Sequence, residues 1–293
     1  MYGYAVSPPV KLSTLLTGWQ NDISAYLICS VIAAVFVLYL ISISIVKKKG
    51  RRWPVLRTLF FLFGLIVVIV AVESGLAYYD DSVFSLHVIQ HLLLMNLAPI
   101  CFALSAPITL FLQALPRTIR SKVIKLLHNK IVAITHHPAI ATALTIIIMY
   151  GYFLTGIYNY SLNHPLLHDL THVIFLVAGI MYWWPIVGLD PIKWRLSFAE
   201  KLLYLLVLIP LNSFLGIALM SERHTISVHH TISDVHAGGA ILWISTEVFD
   251  VSAIAIILIQ WLNYHQRETE RIERRQDELE AIQLEQLQKL SSE

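Results

Sequence analysis

Long apolar runs separated by short polar breaks dominate this chain. Seven runs, near residues 26–46, 55–76, 83–104, 139–158, 166–187, 202–220 and 237–262, carry few charges. Each is about 20 residues, which at about 1.5 Å per residue matches the roughly 30 Å hydrocarbon core of a bilayer. In lipid, backbone polar groups must bond within their own segment, so such runs form helices. The pattern predicts an all-α membrane protein, a bundle of seven transmembrane helices over residues 25–263. A lead segment, 1–24, precedes it and a charged helical tail, 264–293, follows.

Charge placement orients the bundle. Lysine and arginine number 21. Lys47, Lys48, Lys49, Arg51, Arg52 and Arg57 follow the first run, and Arg117, Arg120, Lys122, Lys125 and Lys130 the third. Lys193, Arg195 and Lys201 lie between the fifth and sixth runs, and Arg267, Arg271, Arg274, Arg275 and Lys289 in the tail. With seven crossings all of these share one side, leaving Lys11 and Arg223 on the other. Basic residues concentrate in cytoplasmic loops, so the amino end is expected outside and the carboxyl end in the cytoplasm. The lead segment is then external and the tail cytoplasmic. In the tail, Ile272, Leu279, Ile282, Leu287 and Leu290 give an imperfect apolar stripe, consistent with a solvated helix or a short partner-docking coil.

Composition agrees. The chain is 57% hydrophobic and 14% charged, with a mean hydropathy of +0.67, which excludes an ordinary soluble domain. A net charge of +2 gives no case for a nucleic-acid partner. Cys29 and Cys101 lie in apolar runs without CxxC spacing and are expected as buried free thiols. The first residues lack the pattern of a cleavable leader.

The candidate chemistry is histidine. His87 and His91 open the third run, and His168 and His172 open the fifth. Residues four apart share a helix face. If the third helix is capped by the run Asp80-Asp81-Ser82 and the fifth starts at Pro165, His91 and His172 lie at matched depth, about 10–13 Å below their helix starts. Four imidazoles there suit copper or zinc. Met95, one turn deeper, would add a thioether, and Glu73, Asp169 and Asp234 are carboxylates at the same end. His224, His229 and His230 form a loose cluster in the loop before the last run. Each residue also has a bland reading: interfacial histidine, packed methionine, solvated loop. In the last run, Gly238 and Gly239 permit close helix approach, and Glu247 and Asp250 are intramembrane carboxylates. Trp183, Trp184 and Pro185 read as an interface anchor and a helix terminator.

Three segments carry a resemblance: LHVIQHLLLMNLAPICFALSAP, LLHDLTHVIFLVAGIMYWWPIVGLDP and DVHAGGAILWISTE. Over roughly residues 80–250 the chain resembles the multi-span CtaG-like family linked to assembly of caa-type cytochrome c oxidase. The matching positions are His87 and His91, His172 with Trp184 and Pro185, and Asp234 with Gly238, Gly239 and Trp243. His236 stands where the family pattern often has glutamine. The resemblance implies a multi-pass protein of a bacterial plasma membrane that matures the oxidase without catalysis of its own. Its partners would be oxidase subunits, the lipid bilayer and other copper chaperones. On this reading His87, His91, His168 and His172 hold copper at the outer face, with Met95, Asp234 and His236 in reserve. Three alternatives stay open: a b-type haem protein held by paired histidines, a copper permease using Glu247 and Asp250, and a scaffold that docks oxidase subunits without metal.

Overall fold

The computed structural model describes residues 10–21, 23–130, 134, 137–191, 193–227 and 230–291. Helices dominate, and the described residues form no named strand; the sole bridge is Trp19 with Ser74. Six helices are long and apolar enough to cross a bilayer. The fourth expected crossing differs. Its helix, α9 (Pro138–Leu154), has 17 residues, and the chain breaks before a short α10 (Ile157–Leu162).

The lead segment contains α1 (Leu12–Thr17), tied to the bundle where the Gln20 N–H donates to the Glu73 carbonyl at 2.9 Å. The first two crossings are α2 (Ile23–Lys48) and α3 (Val55–Glu73). α2 is thinly packed, and Cys29 is exposed on it rather than buried; Cys101 is buried as expected. Tyr39 fixes the α2–α3 pair by stacking on Phe61 at 3.9 Å and accepting from the Trp53 indole at 3.2 Å. A short α4 (Gly75–Tyr79) leads into the third crossing.

That crossing is built in pieces: α5 (Phe84–Leu92), a π-helical stretch (Leu93–Leu97), α6 (Ala98–Ser105) and α7 (Pro107–Ala114). Pro99 has no N–H to give the Met95 carbonyl, so regular α-helix cannot run through it. The chain widens to π register instead, and the Ala98 N–H reaches Leu93. At Ala106, φ turns to +48° and the helix restarts as α7. Both ends of α7 are held from elsewhere. Asp190 accepts from the Thr109 N–H at 2.7 Å, and the Lys49 ammonium donates to the carbonyls of Gln113 and Ala114 at 2.9 and 2.7 Å. A carboxylate at the amino end and a cation at the carboxyl end both oppose the helix dipole.

An amphipathic α8 (Arg117–Leu127) buries none of its residues. α11 (Pro165–Val187) begins at proline as expected and stops at Gly188, whose φ of +65° is left-handed. It runs through Pro185 rather than ending there. Trp183 is buried and donates to the Asn96 side chain at 3.3 Å, so the expected interface anchor is a core residue. α12 (Phe198–Met220) starts with a Ser197–Glu200 capping box. It pairs with α13 (Ile232–Ser291), a single 60-residue helix that is both the last crossing and the tail. That pairing needs glycine, since a Cβ on Gly239 would sit 2.8 Å from the Gly216 carbonyl oxygen; Gly238 instead faces α5, where a Cβ would sit 2.4 Å from the Phe84 ring. The close approach expected at these two positions is present.

Candidate metal centre

The site forms where the amino-terminal turns of α5 and α11 meet. These helices are far apart in sequence, and two features bring them together. Gly179 of α11 lies against the π stretch, where a Cβ would fall 2.2 Å from the Met95 carbonyl oxygen. Asp234, on α13, anchors the start of α5 by accepting from the N–H groups of Phe84 and Ser85 at 2.6 and 3.1 Å. These donors belong to the first turn, which has no intrahelical acceptor for them. The expected cap from Asp80-Asp81-Ser82 is therefore not what starts this helix: its N-cap position is Val83, with no side-chain cap.

The two histidine pairs face each other. Ring centroids of His87 and His168 are 5.4 Å apart, as are those of His91 and His172. Along each helix the spacings are 4.3 Å for His87–His91 and 4.7 Å for His168–His172. All four are buried. Asp80 joins them. Its carboxylate oxygen is 3.2 Å from His168 Nε2 and accepts from the Gln90 amide at 3.1 Å, and Gln90 also donates to the Ala71 carbonyl. The donor atoms of Asp80, His87 and His168 lie within 4.8 Å of one another.

A polar and aromatic surround holds the rings. The Tyr152 hydroxyl is 3.3 Å from His87 Nε2 and 3.2 Å from Ser161 Oγ. Tyr158 bonds His230 Nε2 at 2.6 Å and stands with its ring 4.9 Å from His87. Phe175 packs on His91 at 4.0 Å. With these bonds made, Nδ1 of His87, both nitrogens of His91, Nδ1 of His168 and Nε2 of His172 have no hydrogen-bond partner among the described residues. Leaving one buried polar atom unsatisfied costs about 1–3 kcal/mol, and here several share one place. Each neutral imidazole brings one lone pair, and four rings so gathered suit a metal ion.

A cavity of about 300 Å³ adjoins the array, lined on its polar side by Glu73, Asp80, Asp81, Asp169, His168 and His172. Glu73 therefore lies beside the site. The other candidates have partners of their own. Met95 sits in the π stretch, and its side chain packs in the apolar cluster with Phe175 and Ala178. Asp234 is committed to the α5 start, and His236 Nε2 bonds the Glu222 carbonyl at 2.9 Å. Glu247 accepts from Ser213, and Asp250 accepts from Asn212 at 3.4 Å, so this carboxylate pair ties α13 to α12. His224 is exposed, His230 serves Tyr158, and His229 lies outside the described residues. Asp80, Gln90 and Tyr152 are the members that spacing alone did not mark. Asp80 looked like a helix cap, and the other two look like ordinary span residues until the neighbouring helices are placed.

The chain is 28% identical to an uncharacterized protein of Mycobacterium bovis and to one of Mycobacterium tuberculosis, over 95% of its own length and 45% of theirs. A protein of Mycobacterium leprae is 27% identical over 94% of the chain and 44% of its own length. The chain thus spans less than half the length of these relatives. No solved structure matches it significantly. The model of the cytochrome c oxidase caa3 assembly factor family matches residues 37–264, which contain the whole histidine array and all of the crossing helices but the start of α2 and the tail of α13. The chain belongs to the caa3 cytochrome c oxidase assembly factor family and is a multi-pass protein of the bacterial plasma membrane.

Proposed function

We propose that this protein matures a caa3-type oxidase by binding copper at His87, His91, His168 and His172 and passing it to an oxidase subunit. The observation that carries this reading is the two-by-two array of buried imidazoles with unpartnered nitrogens. Imidazole is a good copper ligand, and transfer by ligand exchange requires no catalytic group. Seven crossings, with α9 as a short fourth, put the basic loops in the cytoplasm and the array at the outer face, where other copper chaperones can load it.

Haem fits less well. A bis-imidazole haem needs a flat macrocycle between its two rings. Here the rings already stand 5.4 Å apart, and Gly179 against Met95 holds the helices together just below. A permease would need Glu247 and Asp250 to line a path, whereas both are bonded to α12. A scaffold without metal leaves the unpartnered nitrogens unexplained.

The test is elemental analysis of detergent-purified protein after anaerobic Cu(I) loading, beside the variant His87→Ala/His91→Ala/His168→Ala/His172→Ala. Near-stoichiometric or greater copper is expected in the native chain and almost none in the variant. In cells, His87→Ala/His91→Ala is expected to insert normally but to lower caa3 oxidase activity at least about tenfold, as lost metal-site groups do. Normal oxidase activity in that variant sinks the proposal.

A further inference from the structure

We infer that the array is two metal positions in series: an outer one held by Asp80, His87 and His168, and an inner one held by His91 and His172. Each would take a Cu(I) ion. This rests on the copper reading above and adds its stoichiometry and internal order.

The donors group naturally into two sets. Asp80, His87 and His168 offer one carboxylate oxygen and two ring nitrogens within 4.8 Å. Metal bonds to nitrogen or oxygen run about 2.0–2.2 Å, which places ligand atoms of a three-coordinate ion roughly 3.5 Å apart. Rotations of about an ångström at the side-chain tips close that gap. One turn deeper, His91 and His172 face each other across 5.4 Å, walled by Phe175 and by Tyr152, whose ring centroids are 4.0 and 5.2 Å from His91. The inner pair has imidazole and aromatic surroundings and suits the two-coordinate geometry that Cu(I) readily takes.

One ion shared by all four rings is the competing arrangement. A tetrahedral shell makes all ring pairs equivalent. Here the ring contacts run round the four sides of a rectangle, and the diagonals, His87–His172 and His91–His168, make none among the described residues. The outer set also contains a carboxylate that a four-imidazole shell has no use for.

Series order follows from depth and access together. His168 of the outer position and His172 of the inner one lie one turn apart on α11, and the 300 Å³ cavity is lined by two outer donors, Asp80 and His168, but by one inner donor, His172. Movement between positions makes one Cu–N bond as another breaks. The ion stays Cu(I), and no electron is exchanged.

The experiment is an anaerobic Cu(I) titration of the full chain in detergent against a chromogenic Cu(I) chelator, with X-ray absorption on the loaded protein. Two equivalents are expected, with a mean first shell between two and three nitrogen or oxygen atoms. His91→Ala/His172→Ala is expected to keep one three-coordinate ion, and His87→Ala/His168→Ala one two-coordinate ion. A single equivalent with four nitrogen ligands, lost entirely from either double variant, overturns the series and leaves the copper reading standing. Absence of copper from the native chain overturns both. The native stoichiometry and shell need no variant to fold.

Discussion

Asp80 and Asp234 both lie near the start of the histidine helix α5, and their surroundings give them different work. Asp234 reaches from α13 and accepts two first-turn N–H groups. Charge-assisted bonds to a helix start are worth about 1–2 kcal/mol. Asp234→Ala is therefore expected to lower the thermal midpoint of the purified protein by that stability, and Asp234→Asn, which keeps an acceptor, by clearly less. Equal melting of both variants and the native chain would remove Asp234 from this role. Asp80 is placed by Gln90 and bonds His168. Local sequence could not separate the two. Asp80-Asp81-Ser82 looks like a cap because capping is judged within a few residues, whereas the acceptor that α5 uses lies 150 residues away in the chain. The histidines were legible for the opposite reason: a four-residue spacing on one helix needs no tertiary knowledge. That the two pairs would face each other was not legible, since it depends on which helices pack.

At the scale of elements, the π stretch and Gly179 decide how close α5 and α11 come. Gly179→Ala would press a Cβ against the Met95 backbone, which cannot retreat as a side-chain tip can. Overpacking of this kind costs about 1–3 kcal/mol, so the variant is expected to melt lower and to lose copper as the two histidine pairs separate. Gly151→Ala, in open space on α9, is the control and is expected to change neither. Retained copper in Gly179→Ala would show that the array does not depend on this contact. The crossings themselves were readable because length and apolarity report directly on the bilayer. Met95 reads as the next residue on the α-helical face of His87 and His91, but it lies in the π stretch Leu93–Leu97, where the register widens before Pro99. An indole suits both an interface and a satisfied core, and at Trp183 only the bond to Asn96 tells them apart.

At the scale of the molecule, the histidine array and the tail are separated. The array is built from α5 and α11 with Asp80 between α4 and α5, and none of its donors comes from beyond residue 172. Deleting the chain from Arg267 onward is thus expected to leave Cu(I) stoichiometry unchanged, read by the same chelator titration. A loss would mean that the tail supports the bundle itself.

Yet α13 joins the two regions without a break, from Asp234 at the start of the histidine helix to Ser291. A continuous helix carries angular phase: each residue advances it by about 100° and 1.5 Å. The direction in which the tail presents its side chains is therefore set relative to the array. One alanine inserted between Gln266 and Arg267 would swing the tail by about 100°, while seven would nearly restore its bearing, with a drift of about 20°. A partner that engages both ends at once would tell these insertions apart; a tail that merely trails in solvent would not.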